Sequence, residues 1–319
     1  MSGGSTPVVI QTEHLDQEPA GWLAERTEYH YHSHEDPAFE DLLPRVNALV
    51  VRTYTMVNEE LLDKAPNLKV VGRAGVALEN IDIPLCRSRG VEVVHTPGAN
   101  TQAVVELVWA FMLDAKRPRA FIDRSYSLNE WGAARKELIG SRELADCAIG
   151  IIGFGRIGSR IAQVSRAMGV EAKFCDVREI SAEAHNGATQ ASLDEILSTC
   201  DIITVHVDDR PSNSRFLNAS KLSLMKSDAL FINTSRGFVI DSSALASFLR
   251  ENPAAQAILD VHDPEPVPEG DALLEAANCW QSPHIGAATA TAHRNMSWVV
   301  RDVWRVLNGE KPESPAPVR

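Results

Sequence analysis

The hexapeptide Gly153-Phe154-Gly155-Arg156-Ile157-Gly158 constrains this chain more than any other feature, because it directly follows the apolar run AIGII and opens a helical pattern. In that setting the first glycine permits a tight turn, the second lets the backbone approach a pyrophosphate, and the third lets helix pack closely on strand. Backbone N–H groups at the helix start hold phosphate charge, so Arg156 and Ile157 join Gly153, Gly155 and Gly158 in the expected cradle. A bare Gly-x-Gly-x-x-Gly is also compatible with an ordinary strand-to-helix turn. Asp176 adds weight. It ends the next expected strand about 20 residues on, where a carboxylate accepts hydrogen bonds from the adenosine ribose and repels a 2′-phosphate, so the expected cofactor is NAD.

Short apolar runs alternate with helical patterns on both sides of this loop, the mark of parallel sheets with crossover helices. Strands are expected near Pro7–Ile10, Ala48–Arg52, Leu68–Gly72 and Val91–His95, with helices at Asn58–Ala65 and Ile81–Arg89. A second series runs through Ala148–Gly153, a helix to Met168, Ala172–Asp176, the helix Ser192–Thr199, Asp201–Val207, Ala229–Thr234 and Ala257–Val261. Ser192 and Glu195 have the spacing of a capping box. Thr101–Lys116 is apolar on nearly every side, and is expected to be buried between domains or subunits. One last helical pattern covers Thr289–Leu307, and the Pro312–Pro317 stretch reads as a frayed end.

A chain of 319 residues accommodates two domains. The expected class is α/β: a Rossmann-type dinucleotide-binding domain over 98–287, with a second, smaller flavodoxin-like substrate (catalytic) domain over 1–97 and 288–319. The chain would then cross between domains twice.

Net charge is −12, which disfavours nucleic acid and anionic membranes as partners, and no apolar run is long enough to span a bilayer. The five cysteines (Cys86, Cys147, Cys175, Cys200, Cys279) are scattered, which suggests neither a disulfide framework nor a zinc site. Residues 1–7 lack the form of a secretory signal, so a flexible tail and a cytoplasmic location are expected. His30, His32 and His34 alternate as metal ligands on a strand do, but a polar edge strand or loop explains them better, and no metal is expected.

Three segments carry the chemistry. ALFINTSRG delivers Arg236 to the carboxyl end of a strand, the edge where open α/β sheets bind ligands, and a guanidinium there can clamp a carboxylate. ILDV runs into His262-Asp263-Pro264-Glu265-Pro266, and Ser282-Pro283-His284-Ile285-Gly286 precedes the final helix, so Glu265 and His284 can meet at one cleft. Together these segments and the glycine loop resemble the D-isomer-specific 2-hydroxyacid dehydrogenases, from about residue 45 onward. The resemblance implies that His284 is the general base in oxidation and the general acid in reverse, a role that suits imidazole. It further implies that Glu265 orients His284, that Arg236 positions the substrate, that Asp260 meets the nicotinamide carboxamide, and that Thr234 lies in the cofactor site. A homodimer is expected on the same ground.

Arg52 and Arg73 each end a strand, and two guanidiniums suit a dianion. The segments around them, with Glu79-Asn80-Ile81-Asp82, resemble the branch of the family that oxidises D-3-phosphoglycerate in serine biosynthesis. The resemblance implies phosphate on Arg52 and Arg73, the carboxylate on backbone N–H groups of Gly75 and Val76, and a ligand contact from Asn100. The chain departs from that pattern at Ala77 and Glu79, which stand for Gly and Asp, and at Asp208, which stands near a usual Pro. A side chain at Ala77 is expected to disfavour a left-handed turn. No ACT-like regulatory segment follows residue 319, so serine feedback through one is not expected.

Two alternatives remain. Reduction of glyoxylate or hydroxypyruvate would make Arg52 and Arg73 dispensable, whereas a binding protein resembling the C-terminal-binding corepressors would hold NADH tightly without turnover.

Overall fold

The computed structural model describes residues 6–117, 119–140 and 142–317; most of the expected N-terminal tail lies outside them. The chain divides into two compact units, one formed by residues 1–100 with 287–319 and the other by 101–286.

The first unit is built on a parallel sheet of β1 (Val8–Gln11), β2 (Glu28–Tyr31), β3 (Ala48–Val51), β4 (Val70–Arg73) and β5 (Glu92–His95), in the order β2-β1-β3-β4-β5. This is the 2-1-3-4-5 order of flavodoxin-like sheets. The interior strands β1 and β3 are buried at every position, as expected of strands covered on both faces. Leu61, Leu62, Ile83 and Cys86 belong to the core on one side, and Leu15, Leu23, Val299, Val300 and Val303 to the core on the other. The helices Gln17–Ala24, Glu59–Lys64 and Ile83–Ser88 begin at Asp16, Asn58 and Asp82, whose side chains accept backbone N–H bonds. On β2, His30 bonds Glu28, and beyond the strand His32 bonds Asp36, so each imidazole has its own carboxylate.

Two expectations at the carboxyl end are corrected. The single helix read over Thr289–Leu307 is two, Ala290–Ser297 and Val300–Leu307. Between them Val299 and Asp302 make tighter bonds three residues back, to Met296 and Val299, and the tightened turn leaves Val299 buried. The Pro-rich segment is docked, not frayed, as far as residue 317. Asp302 accepts the N–H groups of Glu313 and Ser314, and Ala316, 2% exposed, donates to Val93 at 2.7 Å.

The second unit is a seven-stranded parallel sheet of β6 (Ala148–Ile152), β7 (Glu171–Cys175), β8 (Thr189–Gln190), β9 (Ile202–Val205), β10 (Leu230–Asn233), β11 (Gln256–Leu259) and β12 (Cys279–Gln281). Its order, β12-β11-β10-β9-β6-β7-β8, reverses at β6, so the glycine loop leaves the sheet at the switch point where doubly wound folds bind ligands. The edge strands β8 and β12 are too short to show a period, and sequence reasoning missed both. It also missed the helix Ser242–Glu251, which the Asp241 side chain caps.

The helix Thr101–Lys116 buries Val104, Val105, Val108, Trp109 and Met112 in this unit's own core, with Ile149, Ile151, Leu230 and Ile232. Glu106, Ala110, Leu113 and Asp114 on its other face are exposed in the single chain. At the helix Leu193–Thr199 half of the expected capping box forms. Ser192 accepts the Glu195 N–H, while the Glu195 carboxylate bonds Lys173 instead.

Candidate active site

β10, β11 and β12 are parallel neighbours, so the segments leaving them emerge at one edge of the sheet. Arg236, Glu265 and His284 lie on these three segments, in that order.

Buried Asn233 shapes the first segment, accepting the Ser235 N–H at 3.0 Å and donating to the Arg236 carbonyl at 2.9 Å. The next residue is glycine because the chain passes so close: a Cβ at Gly237 would lie 2.0 Å from the His262 carbonyl carbon. The Arg236 turn is thereby seated against the backbone of the segment that carries Glu265. Thr234 presents a buried hydroxyl with no hydrogen-bond partner, consistent with a ligand contact.

Glu265 accepts the His262 N–H at 2.9 Å through Oε1, and its Oε2 lies 2.9 Å from His284 Nδ1. Burial pushes the Glu265 carboxyl up, but the His284 bond, the His262 N–H and the two imidazoles outweigh it, holding it below the usual carboxylate range. The Glu265 carboxylate thus accepts the Nδ1 proton and leaves Nε2 of His284 as the nitrogen available for proton exchange. His284 has φ 53°, a left-handed conformation uncommon for residues other than glycine, though Asn, Asp and His adopt it more readily than most.

Asp260 supports that conformation. It is 1% exposed, and its carboxylate accepts Ser282 Oγ at 2.6 Å, the Ile285 N–H at 2.8 Å and the Gly286 N–H at 2.8 Å. These bonds bracket His284 on both sides. The carboxylate expected at the nicotinamide also holds the loop that carries His284, a set of contacts that only the tertiary structure discloses.

The glycine loop fits a dinucleotide. Gly153 has φ +92°, and a Cβ there would lie 2.5 Å from the His206 carbonyl oxygen. A Cβ at Gly158 would lie 2.2 Å from the Gly153 carbonyl oxygen, whereas one at Gly155 would meet nothing within 4 Å. Gly155 is also the N-cap of the helix Arg156–Ala167, and it supplies no side-chain cap. Open space over uncapped N–H groups is what a pyrophosphate needs.

Asp176 follows β7 and accepts the Phe154 N–H at 2.7 Å, which ties it to the loop. Sequence reasoning missed Arg178, whose Nε and Nη2 each lie 3.0 Å from the Asp176 carboxylate. Burial raises the Asp176 carboxyl, and the bonds from Arg178 and Phe154 more than offset it. Asp208, the acidic departure, is paired with Arg210 at 2.6 Å.

The remaining candidates lie in the first unit. Val51 pairs with Arg73 across β3 and β4, so Arg52 and Arg73 leave adjacent strands at the same edge. The Gly75 N–H, expected to hold a carboxylate, donates to the Arg73 carbonyl at 2.8 Å. The Val76 carbonyl bonds His95. Asn100 ends the first stretch of this unit, half-buried. Ala77 is not among the residues with positive φ, which are Asn186, Arg215 and His284 besides glycines, so its side chain opposes no left-handed turn.

The chain belongs to the D-isomer specific 2-hydroxyacid dehydrogenase family: residues 109–286 match that family's NAD binding domain. It is 35% identical over 258 residues to a D-3-phosphoglycerate dehydrogenase of Synechocystis, covering 81% of this chain and 46% of that protein. It is 32% identical over 316 residues to a glyoxylate reductase of Thermofilum pendens, covering 96% of this chain and 93% of the relative. The solved D-lactate dehydrogenase of Aquifex aeolicus, complexed with NAD and lactic acid, superposes with a TM-score of 0.77 at 27% identity, over 95% of this chain and 96% of that one. The chain spans about half the length of several phosphoglycerate dehydrogenases it matches, 46%, 49% and 53% of three of them. Among the described residues no helix is long and apolar enough to cross a membrane.

Proposed function

We propose that this protein is an NAD-dependent D-2-hydroxyacid dehydrogenase whose favoured substrate is D-3-phosphoglycerate, the oxidation that opens serine biosynthesis. The observation that carries the reading is the His284–Glu265 pair, 2.9 Å apart at the carboxyl edge of a dinucleotide-binding sheet. Bound in the glycine loop, NAD would supply the hydride acceptor for oxidation at C2. Nε2 of His284 takes the C2 hydroxyl proton, and Glu265, ionised on the other side of the ring, favours the imidazolium that results. Arg236 holds the substrate carboxylate, and Arg52, Arg73, Gly75, Val76 and Asn100 are the substrate-binding residues of the first unit. Gly153, Gly155, Arg156, Ile157 and Gly158 hold the pyrophosphate, with Asp176 at the ribose.

The working form is a cytoplasmic homodimer. The helix Leu128–Glu137 has no buried residue, and Phe121 and Leu128 are each 87% exposed, an apolar arm that suits a second copy of the chain. Five free cysteines accord with a reducing compartment.

The test is NADH formation from D-3-phosphoglycerate at alkaline pH, beside NADH consumption with glyoxylate and hydroxypyruvate. His284→Asn serves as the control, because Asn tolerates the left-handed backbone. Preference for D-3-phosphoglycerate, abolished in the variant, supports the reading. Activity only on the two keto acids keeps the mechanism and replaces the substrate. Tight NADH binding without turnover points to a binding protein.

A further inference from the structure

Arg52 lies in a setting that the sequence did not disclose. Its Nη1 is 2.5 Å from Nε2 of His293, on the helix Ala290–Ser297, and 3.1 Å from the carbonyl oxygen of His14, in the loop after β1. The rings of His14 and His293 stack with centroids 5.3 Å apart. A guanidinium and two imidazoles are thus gathered at one end of the first unit's sheet.

No carboxylate forms an ion pair with Arg52 among the described residues. The nearest candidate, Glu13, spends its oxygens on the backbone N–H groups of Arg52, Thr53, Tyr54 and Thr55, which fixes the loop carrying Arg52. The groups facing Arg52 are Glu13, Tyr54 and His293, and those facing His293 are Arg52, His14 and Asp16. Burial, then the charges of Arg52 and His14, hold the His293 imidazole below its usual range, so it is neutral near pH 7 when nothing else is bound. A neutral imidazole beside a guanidinium becomes a second cation once a dianion enters, because the anion's attraction replaces the repulsion between them.

We propose that His14, Arg52 and His293 form a subsite for the phosphate monoester of the substrate, with His293 taking up a proton as the dianion binds. This deepens the dehydrogenase reading and rests on it for the identity of the ligand. It assigns His293 and His14 roles in selecting phosphorylated 2-hydroxy acids over small uncharged-tail acids such as glyoxylate. The proton comes from solvent and returns to it when the phosphate leaves, so no bond is made or broken in the ligand.

The proposal is tested with inorganic phosphate and the full chain, without substrate turnover. Calorimetric titration at pH 8 in buffers of different ionisation enthalpy counts protons: net uptake, approaching one per phosphate, is expected. Release or no change overturns the proposal, because a guanidinium acting alone favours the phosphate dianion and takes up nothing. Histidine ring NMR of wild type and His293→Gln then identifies the group. The resonance absent from the variant should move its titration midpoint upward by about two to three pH units with phosphate; an unmoved midpoint overturns the assignment. Arg52→Gln should weaken phosphate binding at least about tenfold, the loss of a charge-assisted contact. Succinate that matched or exceeded phosphate would overturn the choice of phosphate. Proton uptake without dehydrogenase turnover would keep the subsite and remove the enzyme reading, whereas turnover of D-3-phosphoglycerate without uptake would remove the subsite alone.

Discussion

Nδ1 of His284 lies 2.9 Å from Oε2 of Glu265, although 19 residues separate them, because each follows the carboxyl end of a strand and the two strands are parallel neighbours. The pair fixes which imidazole nitrogen is free. Arg236 follows β10, the next strand of the same sheet.

Glu265→Gln keeps the shape of the side chain and removes its charge. We expect kcat to fall by roughly 10²-fold or more, as for loss of an element of general acid–base catalysis, with KM for the cofactor little changed. Steady-state kinetics decides it, and an unchanged kcat removes Glu265 from the mechanism. The Glu265 carboxyl is held below its ordinary value. The stabilisation from its pairing is therefore present above the unfolded pKa, near 4.3, and is lost as pH falls through the lower folded value.

Asp260→Ala leaves the N–H groups of Ile285 and Gly286 and the Ser282 hydroxyl without their acceptor. The buried Gly286 N–H alone costs about 1–3 kcal/mol when stranded, so urea denaturation should show a loss of about that size. Activity should fall further than stability explains, because the bracket around His284 opens. Full activity in a folded Asp260→Ala would show that the loop holds its conformation by other means.

Gly155→Ala and Gly158→Ala should separate folding from binding. The added methyl at 155 enters open space, while at 158 it meets a backbone carbonyl at 2.2 Å that cannot withdraw. We expect the first variant to melt like the wild type and bind NADH at least about tenfold more weakly, and the second to lose about 1–3 kcal/mol by overpacking. Fluorescence titration and thermal melts read both; normal NADH affinity in Gly155→Ala would mean that the pyrophosphate lies elsewhere.

Asp201 ties the second unit together, with Lys226 Nζ at 2.6 Å, Arg142 Nη2 at 2.9 Å and the Ala148 N–H at 2.8 Å. Burial pushes its carboxyl up, but these partners prevail and bring it to about 2. With an unfolded value near 3.9, the sign is that of a depressed acid: stability is present above about pH 4 and lost as pH falls toward 2. Asp201→Asn should cost about 1–2 kcal/mol at pH 7 and progressively less below pH 4. A cost independent of pH would assign the effect to packing.

What the sequence by itself determined is what is local. Apolar runs such as AIGII and ALVV form buried strands and the glycine loop specifies its own turn, so the fold class was legible, as was the meeting of Glu265 with His284. Asn233, Asp260, Arg178 and His293 were legible only in space. Their roles depend on side chains reaching across strands or helices, as Asp260 does over 25 residues to Ile285, and a linear pattern carries no record of such pairings. The edge strands β8 and β12, the break at Val299 and the docked Pro-rich tail were decided the same way, by sheet neighbours and core packing overriding weak local preference. Tertiary structure thus decided which polar groups spend their hydrogen bonds on the scaffold and which are left for a ligand.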